Sequence, residues 1–185
     1  MPDNQQCAAY ECTYLGSIYT TTMGGQVSQQ FSPPAANGGS NPCLCLYNAY
    51  NRVVLTSRSL DNTGYTYNST AWRFMHGNSN NRVTVVDGLD QMQILAQLTD
   101  GLANGASPGR TAQMGVDFNV SSSVPAPVPT VQANAAATGT YGTGAPHTPY
   151  LGLWYAQAVE AAPSSGNAAN FGGSNLQQLS VQVAD

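Results

Sequence analysis

Lysine is absent from this 185-residue chain, and charged residues of every kind make up 8% of it, against about 25% in ordinary soluble domains. Nine acidic residues stand against five arginines, a formal net charge of −4. Nucleic acid and anionic lipid are both held through a basic face, so neither is expected as the main partner. Long hydrophobic runs are missing too. The apolar stretches are short, whereas a membrane-crossing helix needs roughly 20 such residues, and no membrane partner is expected. The first six residues carry neither the basic nor the apolar region of a secretory signal, which leads to an expectation of assembly in the cytoplasm.

Residues that carry chemistry are equally sparse. The only histidines are His76 and His147, far apart in sequence. The four cysteines, Cys7, Cys12, Cys43 and Cys45, do not form the C-x-x-C pairs of a zinc site. In a cytoplasmic chain they are expected as reduced, buried thiols, with disulfides as the alternative. Asp87 and Asp90 are better explained by helix capping than by a shared metal. Residues 105–109 fit G-x-S-x-G around Ser107, but the nucleophile elbow needs the backbone N–H that follows its serine. Here that position is Pro108, which has none. No phosphate-binding loop, dinucleotide fingerprint or calcium loop is found. The expectation is therefore no catalytic residue, no metal and no cofactor.

What the chain does have is period-two alternation, the signature of strands. Residues 12–20, 43–47, 52–56, 64–67, 71–75 and 82–86 are short β-forming stretches, with turns at 48–51 and 61–64. Residues 43–86 are expected as a meander of about five short strands. Met114, Val116, Phe118 and Val120 share one side of a further strand, and Leu179, Val181 and Val183 one side of a last one. Leu89, Met92, Leu95, Ala96, Leu98 and Leu102 recur instead at helical spacing, with Asp87 placed to cap and Asn104-Gly105 to terminate. That predicts one short helix, about 88–103. Residues 150–160 fit a helix or a strand. The fold class is mainly β, a single domain spanning 1–185, of β-sandwich or jelly-roll-like type.

Three segments are rich in Pro, Gly, Ala, Ser, Thr or Gln and are expected as extended arms: 1–11, 23–42 and 121–148. Pro125, Pro127 and Pro129 force the last of these into an extended strap. A surface built from Asn, Gln, Ser, Thr and Tyr loses little side-chain entropy when covered, since Lys and Arg carry about 2 kcal/mol of it each. The candidate interface residues are Arg52, Arg58, Arg73 and Arg82 together with Tyr141, Tyr150, Trp154, Tyr155 and the three prolines. Arg, Tyr and Trp are enriched at protein interfaces, where Lys is depleted.

The composition resembles that of bacteriophage and viral shell or decoration proteins. That resemblance implies a non-enzymatic structural component of a virion, a capsid, cement or tail-associated protein whose partners are its own copies and other virion proteins. The alternative is an extracellular carbohydrate-binding module or adhesin, using Tyr65, Tyr67, Trp72 and residues 78–81 to hold a glycan.

Overall fold

The computed structural model describes residues 15–18, 41–48, 50, 54–88, 93–104, 111–120, 130–134, 139–147, 152–162, 169–171 and 177–184. Strands dominate them. The chain passes through β1 (Gly16–Ile18), β2 (Cys43–Leu44), β3 (Leu46–Asn48), β4 (Leu55–Asp61), β5 (Tyr65–Tyr67) and β6 (Arg73–Phe74). A 3-10 turn, Met75–Gly77, leads into β7 (Arg82–Asp87), β8 (Gln93–Asn104) and β9 (Thr111–Phe118). There follow β10 (Thr130–Asn134), β11 (Gly139–His147), β12 (Gly152–Ala161), β13 (Ala169–Phe171) and β14 (Gln177–Ala184).

These strands form two six-stranded sheets and a two-stranded ribbon. The first sheet has the order β10-β9-β12-β7-β2, with β6 also on β12; the second has β4-β14-β8-β13-β5, with β11 on β8. The ribbon is β1 against β3. β2 runs parallel to β7, while β12, the hub of the first sheet, is antiparallel to β6, β7 and β9. Val83, Val85, Met114, Val116, Trp154 and Ala156 from the first sheet join Ile94, Ala96, Leu98, Leu179 and Val181 from the second in one hydrophobic cluster. Burying each of the larger side chains is worth about 1.5–3 kcal/mol, so this shared core is what holds the sheets together.

The strand expectations at 111–120 and at the C-terminus hold. Met114, Val116 and Val120 are buried with Phe118 packed beside them, and Leu179, Val181 and Val183 are buried on β14. Residues 152–161 take the strand alternative. The predicted helix is wrong. Residues 93–104 are β8, paired with β11, β13 and β14. Ile94, Ala96, Leu98 and Asp100 are buried while Gln97 and Thr99 are exposed, a period of two that coexists with the helical spacing of the same leucines. Three partner strands outweigh a local helical preference of a few tenths of a kcal/mol per residue. Asp87 ends β7 and accepts the Gly88 N–H at 2.8 Å instead of opening a helix.

The meander is also corrected. Its strands are short and, instead of pairing in sequence, are divided among the sheets: β4 and β5 lie in the second, β6 and β7 in the first, and β3 joins the ribbon. Part of the 121–148 strap is likewise sheet. β10 pairs with β9, and β11 with β8 over nine residues from Gly139↔Leu102 to His147↔Ile94. Backbone ladders ask little of the side chains, and Pro146 fits because a strand paired on one side does not need every N–H. Arms 1–11 and 121–129 lie outside the described residues, as does 23–40. At its end the second arm is tied down, with Asn41 N–H donating to Asn80 O and Thr84 N–H to Pro42 O.

The expectation of reduced thiols does not hold for one pair. Cys43 and Cys45 are disulfide-bonded, their Cα atoms 5.2 Å apart. Residues two apart in extended chain point to the same side, which makes C-x-C a pair that local geometry already brings together. Cys7 and Cys12 lie outside the described residues.

The ribbon is anchored by Tyr47, a buried ring lying where Gly88 has no side chain. A Cβ on Gly88 would stand 1.9 Å from Tyr47 Cε1. Gly88→Ala is therefore expected to destabilise the fold by about 1–3 kcal/mol through overpacking. Chemical denaturation should show a lower midpoint with an unchanged slope.

Candidate functional site

Glu160 is a lone charge in an apolar stretch of β12, and it is fully buried. The β6–β12 register places Arg73 directly opposite it, and Arg73 Nε donates to Glu160 Oε1 at 2.7 Å. The other carboxylate oxygen, Oε2, accepts the Tyr65 hydroxyl at 2.5 Å. Tyr65 belongs to β5 in the other sheet, so Glu160 is bonded to both sheets at once. The Arg73 guanidinium lies 3.7 Å over the Tyr67 ring, a cation–π contact that holds its flat face.

The second half of the site grows from the turn after β4. Thr63 N–H donates to Asp61 Oδ1 at 2.9 Å, the side-chain-to-backbone bond that makes Asp a turn residue. That leaves Oδ2 for His76 Nδ1 at 2.8 Å and for Asn81 Nδ2 at 3.4 Å. Asn81 Nδ2 also reaches Met75 O at 2.8 Å. His76 has φ 58° and ψ 19°, a left-handed backbone uncommon outside glycine and Asn. The geometry is over-determined by its bonds. The ring is stacked on Tyr65 with centroids 4.1 Å apart, and its backbone N–H donates to the Tyr65 hydroxyl at 3.0 Å. Tyr65 stacks in turn on Phe171, its register partner on β13.

The result is one connected polar cluster, Asp61–His76–Tyr65–Glu160–Arg73, set against the core. Burial pushes the Glu160 carboxyl up to about 7, although the Tyr65 hydroxyl and the Arg73 charge pull the other way. Burial, and then the charge of Glu160, holds the Tyr65 phenol well above its ordinary value. A carboxyl that changes charge near neutrality, wired to a half-exposed arginine and to an imidazole fixed through Nδ1, can take up and hold a proton. Clusters of this kind concentrate at functional sites.

The predicted interface residues are dispersed. Arg73 is in this cluster. Arg82 donates from Nε to Asn41 Oδ1 at 3.2 Å and lies over the Tyr155 ring, and the Tyr155 hydroxyl donates to Val120 O. Arg58 is exposed on β4. Trp154 is not at the surface; it is wholly inside the chain's own core. Strand alternation puts Leu153 outward in its place. Tyr141 stands opposite Asp100 in the β8–β11 register; Arg52, Tyr150, Pro125, Pro127 and Pro129 lie outside the described residues. Of the residues considered for glycan binding, Tyr65 is engaged by its two ring partners, and Tyr67 lies under Arg73 and donates to Ala71 O.

Asp61 and Glu160 were missed as functional residues, and with them the carboxylate partner of His76. The available signal was Glu160 itself: a single carboxylate within Ala156–Ala162 has to be paired or neutral if that strand is buried. The chain matches no protein-family model and no curated protein.

The raised carboxyl fixes the sign of a pH effect. Glu160 binds a proton more readily folded than unfolded, so its contribution to stability is fully present below about pH 4.5 and is lost as pH rises through about 7. Wild type should lose roughly 1–3 kcal/mol more than Glu160→Gln between pH 5 and pH 8. Denaturant melts of both chains at the two pH values check this; parallel losses would remove Glu160 as the cause.

Proposed function

We propose that this chain is a non-enzymatic structural protein of a self-assembling particle, a virion component of the capsid, cement or tail-associated kind, whose partners are its own copies and other particle proteins. One observation carries the reading. Among the described acidic residues, Asp61, Asp87, Asp100 and Glu160 are all buried, leaving the half-buried Asp117. An already charge-poor chain thus turns most of these charges inward. Apart from the exposed Arg58 and the partly exposed Arg73 and Arg82, the described surface is left to neutral polar groups and to the exposed apolar residues Leu15, Ile18, Leu46, Tyr50, Val54 and Leu153. Such a surface is inexpensive to cover with protein and unsuited to steering a charged ligand.

The strand order supports the same reading at the level of architecture. From β7 onward the chain crosses repeatedly between sheets, with β7, β9, β10 and β12 in one and β8, β11, β13 and β14 in the other. The resulting neighbours β7-β12-β9-β10, with β8 beside β11, support reading the fold as a double Greek-key jelly roll. That architecture serves both capsid and lectin domains, so the surface rather than the fold favours assembly. A glycan site would need open aromatic faces, and Tyr65 and Tyr67 spend theirs on internal contacts.

Ile18 and Leu46 are register partners on the ribbon and both face outward. Sedimentation velocity of the wild type should show concentration-dependent association. The double variant Ile18→Glu/Leu46→Glu should weaken it at least tenfold (roughly 1.4 kcal/mol) without lowering the melting temperature. A wild-type chain that stays monomeric at every concentration contradicts the proposal.

A further inference from the structure

We propose that the Glu160 cluster is a proton-operated clasp: it ties Arg73 to the interior while Glu160 is ionised and surrenders the guanidinium to the outside when Glu160 takes up a proton. The inference rests on the cluster alone and is independent of whether the chain assembles.

The bond pattern dictates where the proton goes. The Tyr65 oxygen already accepts the His76 backbone N–H, and its own hydrogen is donated to Glu160 Oε2. The position of that hydroxyl is set by the ring stack on His76 and Phe171. A proton arriving from solvent therefore settles on the other oxygen, Oε1. There it crowds the Nε–H of Arg73, which exchanges a charged acceptor for the weaker lone pair of a neutral hydroxyl that carries its own proton. The O–H bond forms, the ion pair ends, and the arginine keeps its charge because a guanidinium does not deprotonate in this range. The balance is one proton gained and none passed on.

Release also has a path. The Arg73 side chain is 34% exposed whereas Glu160 is closed off, so the cation can move toward water while the carboxyl cannot. The Tyr67 ring supports the guanidinium from below, and Gly77 beside it contributes no side chain: an added Cβ there would lie 3.5 Å from Arg73 Nη1. The ionisable groups facing this centre come from five elements: Tyr65 from β5, Arg73 from β6, His76 from the 3-10 turn, Asp61 from β4 acting through His76, and Asp100 from β8 acting on Tyr65. Asp61 keeps the imidazole in place, and the imidazole keeps Tyr65 in place. The clasp is thus a switch at Glu160 and Arg73 mounted on a fixed Asp61–His76–Tyr65 arm. Because β12 and β6 belong to one sheet and β4 and β5 to the other, its state is felt across both.

The test is NMR of the Arg73 Nε–Hε group in the full chain, in solution or under magic-angle spinning according to particle size, from pH 8.5 to 5.5. The expected result is a distinct, exchange-protected Arg73 signal at high pH that is lost on acidification in a one-proton transition centred near 7. The transition should be absent in Glu160→Gln. Should Glu160→Gln fail to fold, the carboxyl carbon resonance of Glu160 in the wild type must titrate with the same midpoint. An Arg73 signal that stays protected down to pH 5.5 overturns the clasp. So does a transition that survives in Glu160→Gln, an outcome that assigns the proton to another group.

Discussion

A carboxylate can stay inside a protein only if it is paired, hydrogen-bonded or neutral, and four of the described acidic residues are kept there. Glu160 shows how the requirement shapes everything near it. Arg73 must sit across from it on β6, Tyr65 must reach it from the other sheet, and His76 must adopt a strained backbone to hold Tyr65. The short strands β5 and β6, which carry little core of their own, owe their positions to these bonds. The exterior follows from the same constraint. With most of the described acids turned inward and no lysine in the sequence, the described surface is mostly amides, hydroxyls and a few apolar side chains, with Arg58 exposed among them.

Mainly-β architecture was legible because period-two alternation is local. Val181 and Val183, or Met114 and Val116, declare their buried side without reference to any distant residue. The helix expected at 88–103 failed because Ala96, Leu98 and Leu102 satisfy both periods; what decides between them is pairing with residues 139–147 and 177–184, which no local window contains. The sheet pairing of 139–147 was hidden in the opposite way. Around Tyr141, the Gly and Thr residues of 139–144 have too little side chain to show a pattern, yet their backbone pairs as well as any. The cluster was legible in part. Asp61 was visible as a turn residue and His76 as an isolated imidazole, but their meeting depends on the 3-10 turn that folds residue 76 back over β4. Glu160 and Arg73 are separated by 87 positions, and only the register of β6 on β12 joins them.

Fold and surface make different contributions to the functional reading. Two sheets sharing one core provide a rigid body, and that body serves unrelated roles in other proteins. The features particular to this chain are the neutral exterior, the apolar ribbon of β1 and β3 leaning on the first sheet through Tyr47, and a titrating carboxyl at the seam of the sheets. On the proposed reading they belong to a building block whose outer contacts are mostly uncharged and which holds, among its buried carboxyls, one that responds near neutral pH. Gln97 and Thr99, on the exposed side of β8, extend the uncharged character to the second sheet.

The central claim is that this exterior exists to be covered by protein. Hydroxyl-radical footprinting read by mass spectrometry measures that directly, side chain by side chain, at Leu15, Ile18, Leu46, Tyr50 and Leu153. Labelling at these residues should fall steeply as the protein is concentrated from nanomolar to micromolar, while buried Trp154 and Leu98 stay unlabelled throughout. Labelling of the five that is high and independent of concentration, including in the presence of the other particle proteins, would contradict the account.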